Sequence, residues 1–100
     1  MYIIVWEYKV KPECATEFEI AYGGGGEWVR LFTGAQGYLG THLLCDAANP
    51  MRYLTLDLWS SETDYKTFRD SKQEEYTRID QHCDQLIENE TSLGVFTKLE

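Results

Sequence analysis

The stretch Arg52-Tyr-Leu-Thr-Leu-Asp-Leu-Trp59 decides the fold, because aliphatic side chains alternate in it with aromatic and polar ones. Alternation with a period of two is typical of a β-strand, in which successive side chains point to opposite faces of the sheet. One face carries three leucines, at positions 54, 56 and 58, and the other carries Tyr53, Thr55, Asp57 and Trp59. We expect the aliphatic face to pack against helices and the aromatic and polar face to lie on the opposite, helix-free side.

The segments on either side of this strand give it neighbours. Tyr38–Asp46 is a second β-rich run, and the turn that follows it, residues 47–50, contains the strong breaker Asn-Pro. The two runs therefore predict a β-hairpin. A helix is expected to begin after Ser60 or Ser61, since serine caps helix N-termini well.

The remaining elements complete an alternating order. Tyr2–Val10 is rich in β-branched and aromatic residues and predicts a strand, and we expect its aromatic-rich face, with Tyr2, Ile4, Trp6 and Tyr8, to meet the helices. A helix follows from about residue 13 to residue 22, is interrupted by four glycines, and resumes near Glu27. A further helix is expected over about residues 73–89, and a last strand over residues 93–99.

The resulting order, β-α-β-β-α-β, predicts a ferredoxin-like α+β fold: an antiparallel four-stranded sheet with helices on one face. We expect residues 1–100 to form a single domain, since a chain of 100 residues is the size of one domain. The glycines at positions 23–26 do not predict a phosphate site. A P-loop needs Lys and Ser or Thr after its last glycine, where this chain has Glu27 and Trp28.

Composition excludes several classes of partner. A net charge of −8, with no clustered basic residues, argues against nucleic acid and anionic membranes. Three widely spaced cysteines are typical of a reduced, cytoplasmic protein rather than of a disulfide framework. No spacing of His, Cys or carboxylate residues predicts a metal site, and no cofactor is expected.

The same alternation predicts an apolar patch on the helix-free face. The expected members of this patch are Ile3, Val5, Tyr38, Leu44, Tyr53 and Trp59. A patch of this kind needs a cover, and we expect a second copy of the sheet to supply it, in a homodimer with the two sheets face to face.

Three ionisable residues, Glu7, His42 and Asp57, are predicted to lie on that face as well. One interpretation is structural, with the polar groups satisfying one another or the partner across the dimer interface. The other is a catalytic pocket, with His42 as general base and Asp57 or Glu7 as its orienting partner.

Several of these segments together resemble a known family. They are Tyr38-Leu-Gly-Thr41, the strand that ends in Trp59-Ser, and the short helix with Tyr65 and Phe68. They are similar to the antibiotic biosynthesis monooxygenase family of dimeric α/β-barrel proteins. The resemblance implies a homodimer whose sheets form a barrel, and a pocket between sheet and helices in each protomer.

The resemblance also implies an activity. Characterised members of the family oxygenate phenolic or quinol-type small molecules without metal or flavin, or bind and cleave haem. We therefore expect a cofactor-independent monooxygenase acting on an aromatic small molecule, with Trp59, Tyr65 and Tyr53 as the pocket wall. The alternatives are a non-catalytic dimeric binding or stress-related protein and a haem-binding member. Haem cleavage fits less well, because the strand-one Asn of that branch is missing among Trp6, Glu7 and Tyr8.

Overall fold

The helices cover one face of a four-stranded antiparallel sheet whose strand order is β2-β3-β1-β4. The computed structural model describes residues 1–99. The strands are β1 (Tyr2–Val10), β2 (Tyr38–Asp46), β3 (Asn49–Trp59) and β4 (Ile87–Thr97). The helices are α1 (Ala15–Tyr22), α2 (Glu27–Phe32), α3 (Glu62–Ser71) and α4 (Gln73–Cys83). The predicted ferredoxin-like fold is confirmed.

Local sequence signals explain most of the boundaries of these helices and strands. Pro12 opens a short 3-10 turn before α1, consistent with its tolerance in a first helical turn. The side chain of Ser61 caps α3 by accepting a hydrogen bond from the backbone N–H of Asp64 at 3.1 Å. None of the helices within residues 1–99 has the length and apolar character required to cross a lipid bilayer.

The boundary between α4 and β4 differs from the prediction. The helix ends at Cys83, a 3-10 turn follows, and the strand begins at Ile87, whereas the sequence predicted helix to residue 89. Ile87 is buried and pairs with Val10 of β1, and residues 89–92 extend the same ladder. Pairing with β1 therefore overrides the helix predicted for this segment. Strand β3 likewise begins at Asn49, earlier than expected.

The face assignment of β3 was wrong. Tyr2 pairs with Trp59 and Trp6 pairs with Thr55, and residues directly opposite each other in a ladder share a face. Trp59 is completely buried, with its ring 5.8 Å from that of Phe32 and 5.2 Å from that of Phe68. The aromatic and polar face of β3 thus packs against the helices, because its large rings fill the space between sheet and helices.

Tyr38 also lies on the helix side, against the prediction. A β-bulge between Tyr38 and Gly40 breaks the simple alternation, so Tyr38 pairs with Trp59 and packs 5.3 Å from its ring. Of the six residues expected on the helix-free face, three are misplaced: Tyr38, Tyr53 and Trp59. The other three lie there as predicted: Ile3, Val5 and Leu44.

Gly26, the last of the four consecutive glycines, lies in a tightly packed turn between α1 and α2. A Cβ on Gly26 would collide with the backbone carbonyl oxygens of Ile20 and Ala21, whereas a Cβ on Gly24 or Gly25 would meet nothing. Gly26 is buried, and its N–H donates to the carbonyl of Gly23 at 3.0 Å. The interruption therefore lets the start of α2 approach the end of α1 more closely than a side chain permits.

We expect Gly26→Ala to lower the free energy of unfolding by about 1–3 kcal/mol, the usual range for overpacking. Gly24→Ala is the matched control, and by restricting the unfolded chain it should leave stability unchanged or raise it by about 0.4–1 kcal/mol. Urea unfolding of the two variants measures both effects. Equal stabilities would show that the close approach at residue 26 has no energetic importance.

Candidate functional site

A cavity of about 240 Å³ lies between the helix-facing side of the sheet and the helices. We call it the helix-side cavity. Aromatic side chains from β1, the α1–α2 segment and α4 form its walls: Trp6, Tyr8, Tyr22, Trp28, Phe32 and Tyr76. The rings contact one another, with Trp28 and Tyr76 edge to face at 4.9 Å and Tyr8 and Tyr22 at the same separation. Such walls suit a flat organic ligand.

The rest of the lining is polar, and four of its six members are ionisable: Thr41, Thr55, Asp57, Arg69, Asp80 and Glu90. Strands β2 and β3 supply the first three, helices α3 and α4 supply the arginine and Asp80, and β4 supplies Glu90. A few convergent polar groups in an aromatic cavity are typical of a small-molecule binding site.

Asp57 is the most perturbed carboxyl group in this lining. Burial raises its pKa to about 6, and a hydrogen bond from Thr41 acts in the opposite direction. The hydroxyl of Thr41 donates to Oδ1 of Asp57 at 2.9 Å, and the hydroxyl of Tyr38 lies 2.6 Å from that of Thr41. While Asp57 is ionised, Tyr38 must therefore donate to Thr41, which gives a hydrogen-bonded chain from Asp57 to the half-buried Tyr38.

Arg69 brings the cationic group of the lining. Its guanidinium carbon lies 3.7 Å from the ring centre of Tyr76, and Nη1 donates to the hydroxyl of Tyr65 at 2.9 Å. Its Nε is buried and has no hydrogen-bond partner among residues 1–99. A donor held by cation–π and hydrogen-bond contacts, with one N–H unused, is suited to an oxyanion in the cavity.

Asp80 and Glu90 form the acidic end of the lining. Burial raises the pKa of each carboxyl, and the negative charge of Asp84 raises both further. Both residues are exposed overall, so they mark the place where the cavity meets solvent.

The structure separates the three residues that the sequence grouped as a catalytic cluster. Asp57 lines the helix-side cavity, whereas Glu7 and His42 lie on the other face of the sheet, opposite Leu54 and Leu56. The prediction that the three share a face was wrong, because the assignment of β3 was inverted. Their catalytic roles stay predictions.

Glu7 has a structural partner on that other face. Arg52 Nε donates to Glu7 Oε2 at 2.6 Å, and its Nη1 lies 3.2 Å from Asp46 Oδ2. This ion-pair group links β1, β2 and β3. His42 is exposed and lies opposite Leu56 in the ladder.

None of the three residues predicted as the pocket wall, Trp59, Tyr65 and Tyr53, is among the residues that line the cavity. Trp59 packs edge to face on Tyr65 at 5.4 Å and so supports the residue to which Arg69 donates. The hydroxyl of Tyr53 donates to Glu19 at 2.5 Å, and its ring packs on Phe18. Substrate contact by these three stays a prediction.

Sequence reasoning missed most of the lining. No motif in the sequence marks Trp28, Tyr76 or Arg69 as part of a site. The usable signal was in β1, where the set that contains Trp6 and Tyr8 was assigned to the helix side, as the structure has it. Extending that assignment across the ladder to β3 would have found Thr55 and Asp57.

The residues of the lining bear on whether the cavity holds a metal or haem. Within residues 1–99 no group of three or more His, Cys, Asp or Glu side chains is placed to hold a metal ion. The residues that line the helix-side cavity include tyrosines but no His, Cys or Met among the usual axial ligands of haem. At about 240 Å³ the cavity is below the usual range for ligand pockets, so it does not fit a macrocycle as large as haem.

Comparisons with known proteins agree with the fold. The family model described as antibiotic biosynthesis monooxygenase matches residues 1–79. No curated protein matches the chain. A protein from Nitrosomonas europaea, described as an antibiotic biosynthesis monooxygenase, is similar in structure with a TM-score of 0.76 and 15% identity, over 100% of both chains.

Two further solved structures are similar. One, from Deinococcus radiodurans and described in the same way, has a TM-score of 0.78 and 14% identity over 100% of this chain and 94% of its own. The other is a variant of SnoaB, a cofactor-independent oxygenase from Streptomyces nogalater, with a TM-score of 0.77 and 16% identity over 99% and 93%. At these identities the likeness shows the fold.

The raised pKa of Asp57 predicts how stability depends on pH. A carboxyl whose pKa is about 6 in the folded protein, against an ordinary value of 3.8, binds its proton more tightly in the folded state. Stability is therefore lost as pH rises from about 4 to about 6, and Asp57→Asn removes this loss. We expect the variant to be more stable than the wild type by about 1–3 kcal/mol at pH 7.5.

At pH 3.5 the carboxyl is mostly protonated in both states, so most of this advantage should disappear. Unfolding by urea at pH 7.5 and pH 3.5 measures the difference. If the variant is less stable than the wild type at pH 7.5, the Asp57 carboxyl does not have a raised pKa in the folded protein.

Proposed function

This chain belongs to the antibiotic biosynthesis monooxygenase family, and on that premise we propose that it is a cofactor-independent monooxygenase of a small phenolic or quinol-type molecule. The observation that carries the proposal is the carboxyl of Asp57, which has a pKa of about 6 and lies in a cavity with aromatic walls. The fold that it shares with a named cofactor-independent oxygenase supports the same assignment.

In this proposal Asp57 is the general base. A base works best when its pKa lies near the working pH, since it is then both ionised and able to hold a proton. A pKa of about 6 meets this condition at neutral pH, where an ordinary aspartate is a much weaker base. The carboxylate accepts the phenolic proton, and Thr41 and Tyr38 give a route by which it leaves the cavity.

Removal of that proton makes the substrate the source of electrons. The phenolate is electron-rich and passes electrons to molecular oxygen, so that a new C–O bond forms at a ring carbon that bears hydrogen. Two hydrogens leave the substrate, one oxygen atom stays on it, and the other departs as water. The electrons of the reaction come from the substrate, so the step balances with oxygen as co-reactant.

The rest of the lining supports this chemistry. The faces of Trp6, Trp28 and Tyr76 hold a flat ring, and Arg69 offers positive charge to the oxyanion that forms. A cavity of about 240 Å³ lies below the usual range of about 300–1,000 Å³ for ligand pockets, which favours a compact substrate of one or two rings.

We expect Asp57→Asn to reduce oxygen uptake on hydroquinone and naphthohydroquinone substrates by about 10²–10⁴-fold, the usual contribution of a general base. Asp70→Asn, which removes an exposed carboxylate of α3 outside the cavity, is the matched control and should keep full activity. An oxygen electrode measures the rates, corrected for autoxidation without protein.

His42→Ala belongs in the same series, because His42 was the base expected from the sequence. Loss of turnover in His42→Ala with retention in Asp57→Asn would return the base role to His42. No uptake by the wild type above autoxidation on the whole panel would contradict the proposed oxygenase and favour a non-catalytic binding protein.

We also propose that the protein acts as a homodimer through the helix-free face. That face carries seven apolar side chains: Ile3, Val5, Leu44, Leu54, Leu56, Leu58 and Phe96. Phe96 is 52% exposed and Leu44 47% exposed. Contiguous exposed apolar surface marks interaction sites, and two twisted sheets pack well face to face. The resemblance to dimeric α/β-barrel proteins supports a second copy as the occupant.

Leu56 lies in the middle of this face, between Val5 on β1 and His42 on β2. We expect Leu56→Glu to give a monomer, because it places charges against one another in an apolar interface. Ile20→Glu is the control, since Ile20 is an apolar side chain of α1 that is already 67% exposed. Sedimentation velocity distinguishes the species, and a monomeric wild type would contradict the dimer.

The three cysteines support a location in the cytoplasm. Cys14, Cys45 and Cys83 are all free thiols in the structure, and Cys45 is exposed. Exposed free thiols persist in reducing compartments. We therefore propose a reducing, cytoplasmic environment for this chain.

A further inference from the structure

We infer that the helix-side cavity selects a cationic ligand: a phenol that carries a protonated amine at its far end, held by Asp80 and Glu90. This inference rests on the proposed function for the phenolic end, which contacts Asp57. The amine end is assigned from the cavity itself.

The charges of the lining favour a cation. Three carboxylates, Asp57, Asp80 and Glu90, face one guanidinium, that of Arg69. None of the three carboxylates forms an ion pair within 4.0 Å among residues 1–99. Asp84, just after α4, adds a fourth negative charge that acts on both Asp80 and Glu90. Arg69 offsets part of the negative charge at Asp80, and a ligand with one positive charge reduces the repulsion that remains.

The ladder places the negative groups at two ends of the cavity. Asp57 lies opposite Ile4 of β1, and Glu90 lies opposite Tyr8, four residues further along β1 and on its other side. Ordinary strand spacings separate their Cα atoms by roughly 17 Å. Asp80 belongs to the Glu90 end, because its charge acts on the Glu90 carboxyl. A ligand that contacts both ends must carry two polar groups on a short frame.

The walls between the two ends suit such a ligand. Aromatic faces attract ammonium groups as well as flat rings. Tyr76 already holds a cation in this way, since the guanidinium of Arg69 lies 3.7 Å from its ring centre. Tyr8 lies directly opposite Glu90 in the ladder and lines the same cavity, so an aromatic residue and a carboxylate are neighbours at the far end.

The test compares three catechols of nearly equal size: dopamine, which is a cation at pH 7, neutral 4-ethylcatechol, and anionic 3,4-dihydroxyphenylacetate. Calorimetric titration of the protein under nitrogen measures binding without turnover. We expect dopamine to bind about tenfold more tightly than 4-ethylcatechol, the ratio that corresponds to 1.4 kcal/mol. The anion should bind most weakly.

The double variant Asp80→Asn with Glu90→Gln should bring dopamine and 4-ethylcatechol to equal affinity. The matched control, Asp70→Asn with Glu74→Gln, removes two exposed carboxylates outside the cavity and should keep the tenfold preference. Because both variants change the net charge equally, a difference between them isolates the cavity carboxylates from the general field of the protein.

Three results would overturn the inference: no binding of dopamine, binding of the anion as tight as that of the cation, or an unchanged preference in the Asp80→Asn, Glu90→Gln variant. Failure of the proposed oxygenase gives a different pattern. In that case the charge preference appears in calorimetry under nitrogen, and no catechol or hydroquinone consumes oxygen when air is admitted.

Discussion

The contact of Trp59 with Phe32 of α2 and Phe68 of α3 fixes which face of the sheet meets the helices. Trp59 is completely buried and ends β3. Because side chains alternate along a strand, its placement carries Asp57 and Thr55 to the same side. The leucines between them therefore lie on the helix-free face. The position of this one buried ring thus decides that the polar residues of β3 line the cavity and that its leucines form the apolar surface.

The same constraint gives Asp57 its chemical character. The carboxyl lies on the helix side, where aromatic walls exclude water and raise its pKa, while a single hydroxyl, that of Thr41, stabilises the ionised form. A fully hydrogen-bonded carboxylate would be a weak base, and a fully exposed one would have an ordinary pKa. The arrangement reduces the stability of the fold at neutral pH in exchange for a base of useful strength, as functional sites often do.

Much of the fold was predictable from sequence because the local signals agree. Strands β1 and β2 occupy the predicted residues, and Ser61 caps α3 as expected. The failures come from long-range pairing. The segment from Ile87 to Ser92 forms a strand because β1 is beside it, and Tyr38 changes face because of a bulge. The strand at residues 87–92 has no local signal, whereas Gly40, a glycine inside a strand with a φ of 129°, does indicate the bulge beside Tyr38.

The site was less predictable for a related reason. Which face of a strand meets the helices depends on register with its neighbours, and both faces of β3 are apolar enough to be buried. The aromatic residues of β1 were assigned correctly to the helix side, but no sequence pattern shows that they share a face with Asp57 of β3. Arg69, Asp80 and Glu90 lie far apart in sequence and converge only through the packing of α3 and α4 on the sheet.

We propose that ligand chemistry occurs at Asp57 in the helix-side cavity and not at His42 on the helix-free face. A crystal structure of the protein with a bound phenol distinguishes the two places. We expect the ring between Trp6, Trp28 and Tyr76, with its hydroxyl about 2.6–3.2 Å from an oxygen of Asp57, the distance that proton transfer requires. A phenol bound on the helix-free face at His42, with none in the helix-side cavity, would rule out Asp57 as the reactive group.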